Sequence, residues 1–171
     1  MTASLDHPPF VAIDFETADR GPDSACAVAL VRVDELRITQ RRVTLLRPPR
    51  SRIVFSYIHG ITWAQVVDAP TFAEAWPELT QILDGAAYLV AHNAPFDRRV
   101  LETCCIAAGL PIPALPFQDS VRIARKTWKL KRANLPAVCA HLGLPLRHHD
   151  PASDAEACAQ IVIAAMRAFG V

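Results

Sequence analysis

Strand-like runs come first in this chain and helix-like runs later, and that order restricts the fold more than any single motif does. Phe10–Phe15 (FVAIDF) is a short β-rich run, followed by Ala27–Val33 and Ile38–Leu46 on either side of the polar turn Asp34-Glu35. An antiparallel meander is the expectation. The period then changes. Thr71 and Glu74 form the T-x-x-E of a capping box, and Phe72, Ala75, Trp76, Leu79, Ile82 and Leu83 follow at helical spacing, with Pro77 expected to kink the helix. Tyr88–Ala91 reads as a buried strand, and Phe96–Ala108 as a helix stopped by Gly109. Pro111–Pro116 is too proline-rich for regular structure. Asp119 is placed to cap a helix over Ser120–Trp128, Asn134 and Gly143 bracket another, and Asp150 with Pro151 starts a last one that runs apolar through Ala168. These elements predict an α/β domain with a mixed sheet, its first three strands antiparallel, flanked by helices.

With 171 residues, 51% of them hydrophobic and 20% charged, the chain suits one domain over 1–171 with a single core. Its longest apolar stretches, such as Ile161–Met166, fall well short of the ~20 residues that span a bilayer, so no membrane segment is expected. The opening MTASLDHPPF has neither a basic nor an apolar leader region, and the expected compartment is the cytoplasm. Cys26, Cys104, Cys105, Cys139 and Cys158 lack C-x-x-C spacing and read as buried reduced thiols. A net charge of +1 makes no overall electrostatic demand for nucleic acid. Basic residues nevertheless gather in two stretches, Arg37–Arg52 and Arg122–Arg132, where a solvated face and a phosphate-contacting face are both open readings. Trp63, Trp76 and Trp128 sit at helical positions and read as core rather than as stacking platforms.

Three acidic segments carry the chemistry. In a strand, residues i and i+2 share a face, so Asp14 and Glu16 of VAIDFET project together while Ile13 and Phe15 turn to the core. At a separation of ~7 Å and an effective dielectric near 20, their repulsion is about 2 to 2.5 kcal/mol, which a cation would offset. A solvated strand face is the bland alternative. Asp97 of AHNAPFD follows a strand and starts a helix, where it suits the macrodipole even without chemistry; His92 and Asn93 in the same turn carry groups able to meet a phosphate or a ribose hydroxyl. In HHDPASD, Asp150 as N-cap puts His149 at N′ and Asp154 at N4, the two positions that meet in a staple. His149 is therefore expected to lean over Asp154. A His-His-Asp zinc site is a lesser alternative, because a donor set dominated by carboxylates favours Mg²⁺ or Mn²⁺.

The order D-x-E, then N-x-x-F-D, then H-x-x-x-x-D resembles the DEDDh exonucleases of the DnaQ-like superfamily, which includes RNase T and DNA polymerase III epsilon and has a ribonuclease H-like fold. The resemblance runs from VAIDFET through HGIT and AHNAPFD to HHDPASDAEA, and the histidine separates this branch from the sister branch that uses tyrosine. Arg47-Pro48-Pro49, His59–Thr62 and Asp68–Phe72 are similar to segments of stand-alone epsilon-like proteins, whereas the basic KLKRANL stretch has no matching role.

The resemblance implies a five-stranded mixed sheet and a 3′–5′ exonuclease releasing nucleoside 5′-monophosphates. It implies Asp14, Glu16, Asp97 and Asp154 as ligands of two Mg²⁺ or Mn²⁺ ions, with Asp14 bridging and Asp97 acting through water, and His149 as general base. It also implies that Thr17 holds the terminal ribose, that His59 and Ile61 lie by the terminal base, and that Asn93 contributes to substrate binding. The expected partner is a nucleic acid with a free 3′ end, single-stranded, with DNA polymerase association as a further expectation. The alternative from another class is a polymerase-associated or nucleic-acid-binding module with little turnover of its own. An endonuclease of the ribonuclease H-like fold is disfavoured by the His149 to Asp154 spacing.

Overall fold

The computed structural model describes residues 7–169, so the reading of the N-terminal leader at 1–6 lies outside the described residues. Five strands form one mixed sheet. β1 (Phe10–Thr17), β2 (Ala25–Asp34) and β3 (Arg37–Leu45) make the antiparallel meander, and β4 (Tyr88–Ala91) and β5 (Phe117–Asp119) add in parallel on the other side of β1. The strand order is β3-β2-β1-β4-β5. β1 and β2 run two and three residues longer than the alternation indicates, β3 is shifted by one residue, and the turn is Glu35-Leu36, both at positive φ.

Helices cover both faces. α1 (Ser56–His59), α2 (Trp63–Val66) and α3 (Phe72–Leu79) follow the meander; α4 is Ala94–Ala108, α5 Ser120–Trp128, α6 Leu135–Leu142 and α7 Pro151–Phe169. The capping box forms, with the Thr71 N–H donating to Glu74 Oε2 at 2.7 Å and the Glu74 N–H to Thr71 Oγ1 at 3.3 Å. Pro77 sits inside α3 without ending it, and the segment tightens to a 3-10 turn over Thr80–Leu83. Asp119 caps α5 through a 2.9 Å bond from the Val121 N–H, and Asp150 accepts from the Ala152 N–H at the start of α7 at 3.1 Å.

Period-2 alternation in β1 sorts its side chains between two cores. Val11, Ile13 and Phe15 pack with Trp76, Val100, Leu101 and Cys104 on the α3/α4 side. Phe10 and Ala12 pack with Ala155, Cys158, Val162 and Ile163 of α7 on the other. Asp14 and Glu16 continue the α7-facing row, so they meet the first turn of α7. All five cysteines are unpaired and buried. Trp76 is 1% exposed and stacked on Phe72, while Trp63 and Trp128 are half-buried against smaller clusters, as core tryptophans should be. Among the described residues no helix is long and apolar enough to cross a membrane.

Candidate active site

β1 extends past β4. Its parallel pairing to β4 stops at Ala12↔Val90, which leaves Asp14, Phe15 and Glu16 projecting beyond the end of the shorter strand. The Phe15 N–H donates instead to Asp97 Oδ1 at 2.9 Å, so a side chain of α4's first turn takes the place of a missing strand. Asp97 is 3% exposed. Its helix grows from the α3/α4 side of the sheet, and only this bond around the end of β4 brings its carboxylate towards Asp14 and Glu16.

Asp154 closes the group from the opposite face. Asp14, Glu16 and Asp154 each present a carboxylate oxygen, and the three lie within 4.8 Å of one another. Asp14 Oδ2 and Asp154 Oδ1 are buried without a hydrogen-bond partner. Orphaned buried carboxylate oxygens cost free energy unless an ion or water meets them. The oxygen-only donor set therefore fits a hard divalent cation.

The electrostatics agree with that fit. Burial pushes Asp14 well above the usual carboxylate range, and Asp97, Asp154 and Glu16 add to the push in that order. Burial first and then Asp154 raise Glu16 to about 8. Burial also raises Asp97 against the pull of the Phe15 N–H, and it raises Asp154 against the pull of the His149 N–H and of His148. Without a cation, the folded protein keeps protons here that the unfolded chain releases near pH 4. Stability then falls as pH rises. Imidazoles of the unfolded chain are largely neutral above about pH 7, so the step from about pH 7 to about pH 8 leaves them out. The five buried thiols, all pushed up by burial, lower stability in the same direction, and the part of the fall that a saturating cation removes belongs to the carboxylates. Melting in a chelator should give a lower Tm at the higher pH. A saturating divalent cation, at ~100 times its Kd, should raise the Tm at the higher pH by roughly 5–10 °C, from ~2.7 kcal/mol of linkage at ~2–4 °C per kcal/mol. A chelated Tm that climbs over this interval would contradict the cluster.

At the start of α7 the structure departs from the staple expected of the sequence. The ring that bonds Asp154 is that of His148, whose Nδ1 donates to Oδ2 at 2.9 Å, and His149 bonds the same oxygen through its backbone N–H at 3.0 Å. His149 has a left-handed backbone at φ 68. The two imidazoles stack at 3.8 Å between centroids. Their rings and Asp154 also bring ligand atoms within 4.8 Å. These are the donors of the zinc alternative, while the carboxylate-only group of Asp14, Glu16 and Asp154 favours Mg²⁺ or Mn²⁺. His149 remains in the cleft with Asp14, Glu16 and Asp97, and burial, then His148, hold its pKa below the ordinary imidazole value against the pull of Asp154.

The four residues expected at the substrate fall in two places. Thr17 and Ile61, both buried, and His59 sit together at the end of β1. His59 Nδ1 accepts from the Ile61 N–H at 3.1 Å, so Nε2 carries the proton and donates to the Thr17 carbonyl at 3.1 Å. Both ring nitrogens are occupied inside the protein, and His59 fixes Ile61 to Thr17. Asn93 lies apart, exposed on the cleft rim at φ 73, with its N–H on Asp119 Oδ1 at 3.1 Å. His92 is tied by Nδ1 to Ser120 Oγ at 2.7 Å and by Nε2 to the Ala133 carbonyl at 3.0 Å, which removes it as a phosphate donor.

The cleft around the carboxylates and Asn93 has a volume of about 500 Å³ and is also lined by Phe96, Arg125 and His148, none of them among the expected ligands, base or substrate contacts. Phe96 is 44% exposed beside the buried Asp97. Its sequence signal is an aromatic residue off the Asp97, Val100, Leu101, Cys104 core stripe. Arg125 is the same kind of signal on α5, where Ala124 carries the burial.

A family model described as an exonuclease of the RNase T type matches residues 11–162. A DNA polymerase III of PolC type from Thermotoga petrophila is 32% identical over 167 residues, which is 94% of this chain and 12% of that protein. The chain thus spans about an eighth of the polymerase it matches. A solved structure of exonuclease X in complex with 5′ overhanging duplex DNA matches at a TM-score of 0.76 and 28% identity, covering 95% of this chain and 93% of that one. The nuclease domain of 3′hExo, a DEDDh family member bound to rAMP, shares the fold at a TM-score of 0.82 and 19% identity over 98% of this chain and 96% of its own. Since the matched span from residue 11 to residue 162 takes in every carboxylate of the cleft together with His149, the chain belongs to the RNase T exonuclease family.

Proposed function

We propose that the chain, as one domain over 1–171, is a metal-dependent 3′–5′ exonuclease that releases nucleoside 5′-monophosphates from single-stranded DNA or RNA with a free 3′ end. The observation that carries this reading is the set of mutually repelling carboxylates around two orphaned buried oxygens. Asp14, Glu16 and Asp154 would hold Mg²⁺ or Mn²⁺, with Asp14 at the centre of the group. When bound, such ions supply the charge that lowers the pKa of the attacking water and stabilises the leaving 3′ oxygen. Asp97 has Oδ1 engaged by the Phe15 N–H and acts through Oδ2, by way of water. His149, kept neutral at pH 7 by burial and by His148, takes the proton from that water. Thr17 and Asn93 meet the terminal sugar, and Ile61, fixed by His59, packs against the terminal base.

The PolC-type relative favours a second reading, a module that serves a polymerase and turns over little by itself. A complete ligand set beside a neutral imidazole speaks for turnover. A 5′-labelled single strand incubated with Mg²⁺ or Mn²⁺ should shorten one nucleotide at a time and stay intact in chelator. Tight binding without shortening would favour the module and overturn the enzyme.

A further inference from the structure

A second groove, of about 570 Å³, adjoins the carboxylate cleft and has no part in the chemistry above. Its walls are α4, with Arg98 and Arg99, and the start of α5, with Arg122; Asp119 and Phe117 of β5 lie between them. Only a narrow sill separates the two spaces. Asn93 lines the cleft and Ala94 the groove, Asp119 ties the sill down by accepting from the Asn93 and Val121 N–H groups, and α5 turns Arg125 to the cleft and Arg122 to the groove.

The charges of this groove are unbalanced. Arg98 is paired with Glu102 at 2.7 Å, whereas Arg99, Arg122 and Arg125 are exposed and make no ion pair with any described residue. Asp119, the one other carboxylate among the lining residues, already accepts two backbone N–H groups. Some exposed arginines elsewhere pair with acids, as Arg41 does with Glu156 and Arg50 with Asp19 and Asp23, and others such as Arg20, Arg37, Arg42 and Arg52 do not; what sets Arg99, Arg122 and Arg125 apart is their placement along one groove and the sill beside the cleft. Three guanidiniums left without partners on both walls of a groove, next to a cleft full of carboxylates, call for an anionic ligand that avoids the carboxylates themselves. A polyanionic backbone that enters the cleft only at its cation-filled end meets that description.

We infer that this groove is the track for the substrate strand upstream of the scissile bond, with Arg125 at the sill and Arg122 and Arg99 on the two walls taking backbone phosphates. The inference rests on the exonuclease reading for the direction of the strand. Charged grooves that follow a single-stranded backbone take any sequence and weaken steeply with salt. The track therefore sets affinity for long substrates and leaves the reacting atoms to the cleft.

The test compares a single strand of about 12 nucleotides with the p-nitrophenyl ester of thymidine 5′-monophosphate, which has one phosphodiester and nothing upstream of it. For the wild-type protein with Mn²⁺, log(kcat/KM) should fall steeply with log[NaCl] on the strand and stay nearly flat on the ester. In R99Q/R122Q/R125Q the KM for the strand should rise roughly tenfold or more, and its salt slope should shrink by about 0.7 per cation removed. R37Q/R42Q, on the edge strand β3 at the other side of the sheet, should keep the wild-type strand kinetics. Anisotropy of the labelled strand in Ca²⁺ reads the same contacts without turnover. A triple variant that unfolds at the wild-type temperature and keeps the wild-type affinity and salt slope overturns the track. Failure of the wild-type protein to hydrolyse even the ester overturns the nuclease reading instead, and the anisotropy still decides the groove.

Discussion

Asp14→Asn is expected to stop catalysis and to stabilise the metal-free protein at the same time. Asp14 carries the buried orphan oxygen Oδ2 and is raised by burial and then by Asp97, Asp154, Glu16 and Asp150, so it is both a costly group to bury without a cation and the central cation donor of the cluster. Loss of several kcal/mol of cation-borne stabilisation at the transition state corresponds to a fall in kcat of roughly 10³-fold or more. Without a cation Asp14 stays protonated in the folded chain although it ionises in the unfolded one, and Asn, neutral in both, escapes that cost; a gain of about 1–2 kcal/mol near pH 7 is a rise of about 2–8 °C in Tm in chelator for a chain of this size. The Tm gain from added cation should largely vanish in the same variant. Melting curves with and without Mg²⁺, beside rates on a single strand, check both signs. An Asp14→Asn protein that melts lower in chelator would show that the carboxylate is held by something other than a cation.

The second large effect is expected at His149. As general base it should be worth about 10²- to 10⁴-fold in kcat, and His149→Ala should lose that factor with little change in KM for the strand. The wild-type rate should fall as pH drops through the imidazole's pKa, which burial and His148 hold below the ordinary value. The rate should therefore persist to below about pH 6.5 before it declines. In His149→Ala the acid limb should disappear. His148→Ala makes a useful contrast: its ring donates to Asp154 Oδ2, but the His149 N–H holds the same oxygen, so a loss smaller than that of His149→Ala is expected, with the acid limb kept. A wild-type rate flat from about pH 5.5 to about pH 8 in a chemistry-limited assay would remove His149 from the role of base.

Local signals in the sequence carry most of the fold. The Thr71/Glu74 capping box, the Asp119 cap and the Asp150-Pro151 start of α7 each depend on residues within a few positions, and each forms as its spacing indicates. Alternation in β1 likewise fixes which face holds Asp14 and Glu16. β5 is harder to see because it is three residues long and has no alternation to display. Pro77 lies inside α3, with Trp76 and Leu79 on either side of it buried in the core.

The gaps at the site have two physical causes. One is range: Asp97 takes the Phe15 N–H across 82 positions because β4 ends early, and no local pattern announces that bond. The other is backbone sign. His149 at φ 68 and Asn93 at φ 73 adopt a left-handed conformation uncommon outside glycine; His149's ring lies near Asp154 as expected, and the ring bond to Asp154 from His148 is what the sequence does not announce. Arg99, Arg122 and Arg125 belong to neither case. Their charge is plain in the sequence, and only the groove between α4 and α5 distinguishes them from a solvated face.

The most direct measurement follows the product from a 3′-labelled single strand with Mn²⁺, beside a circular strand of the same sequence and the Asp14→Asn variant. The account expects the label to leave first as a nucleoside 5′-monophosphate, the circle to remain closed, and the variant to release almost nothing. Cleavage of the circle, release of the label in longer fragments, or undiminished release by Asp14→Asn would contradict it.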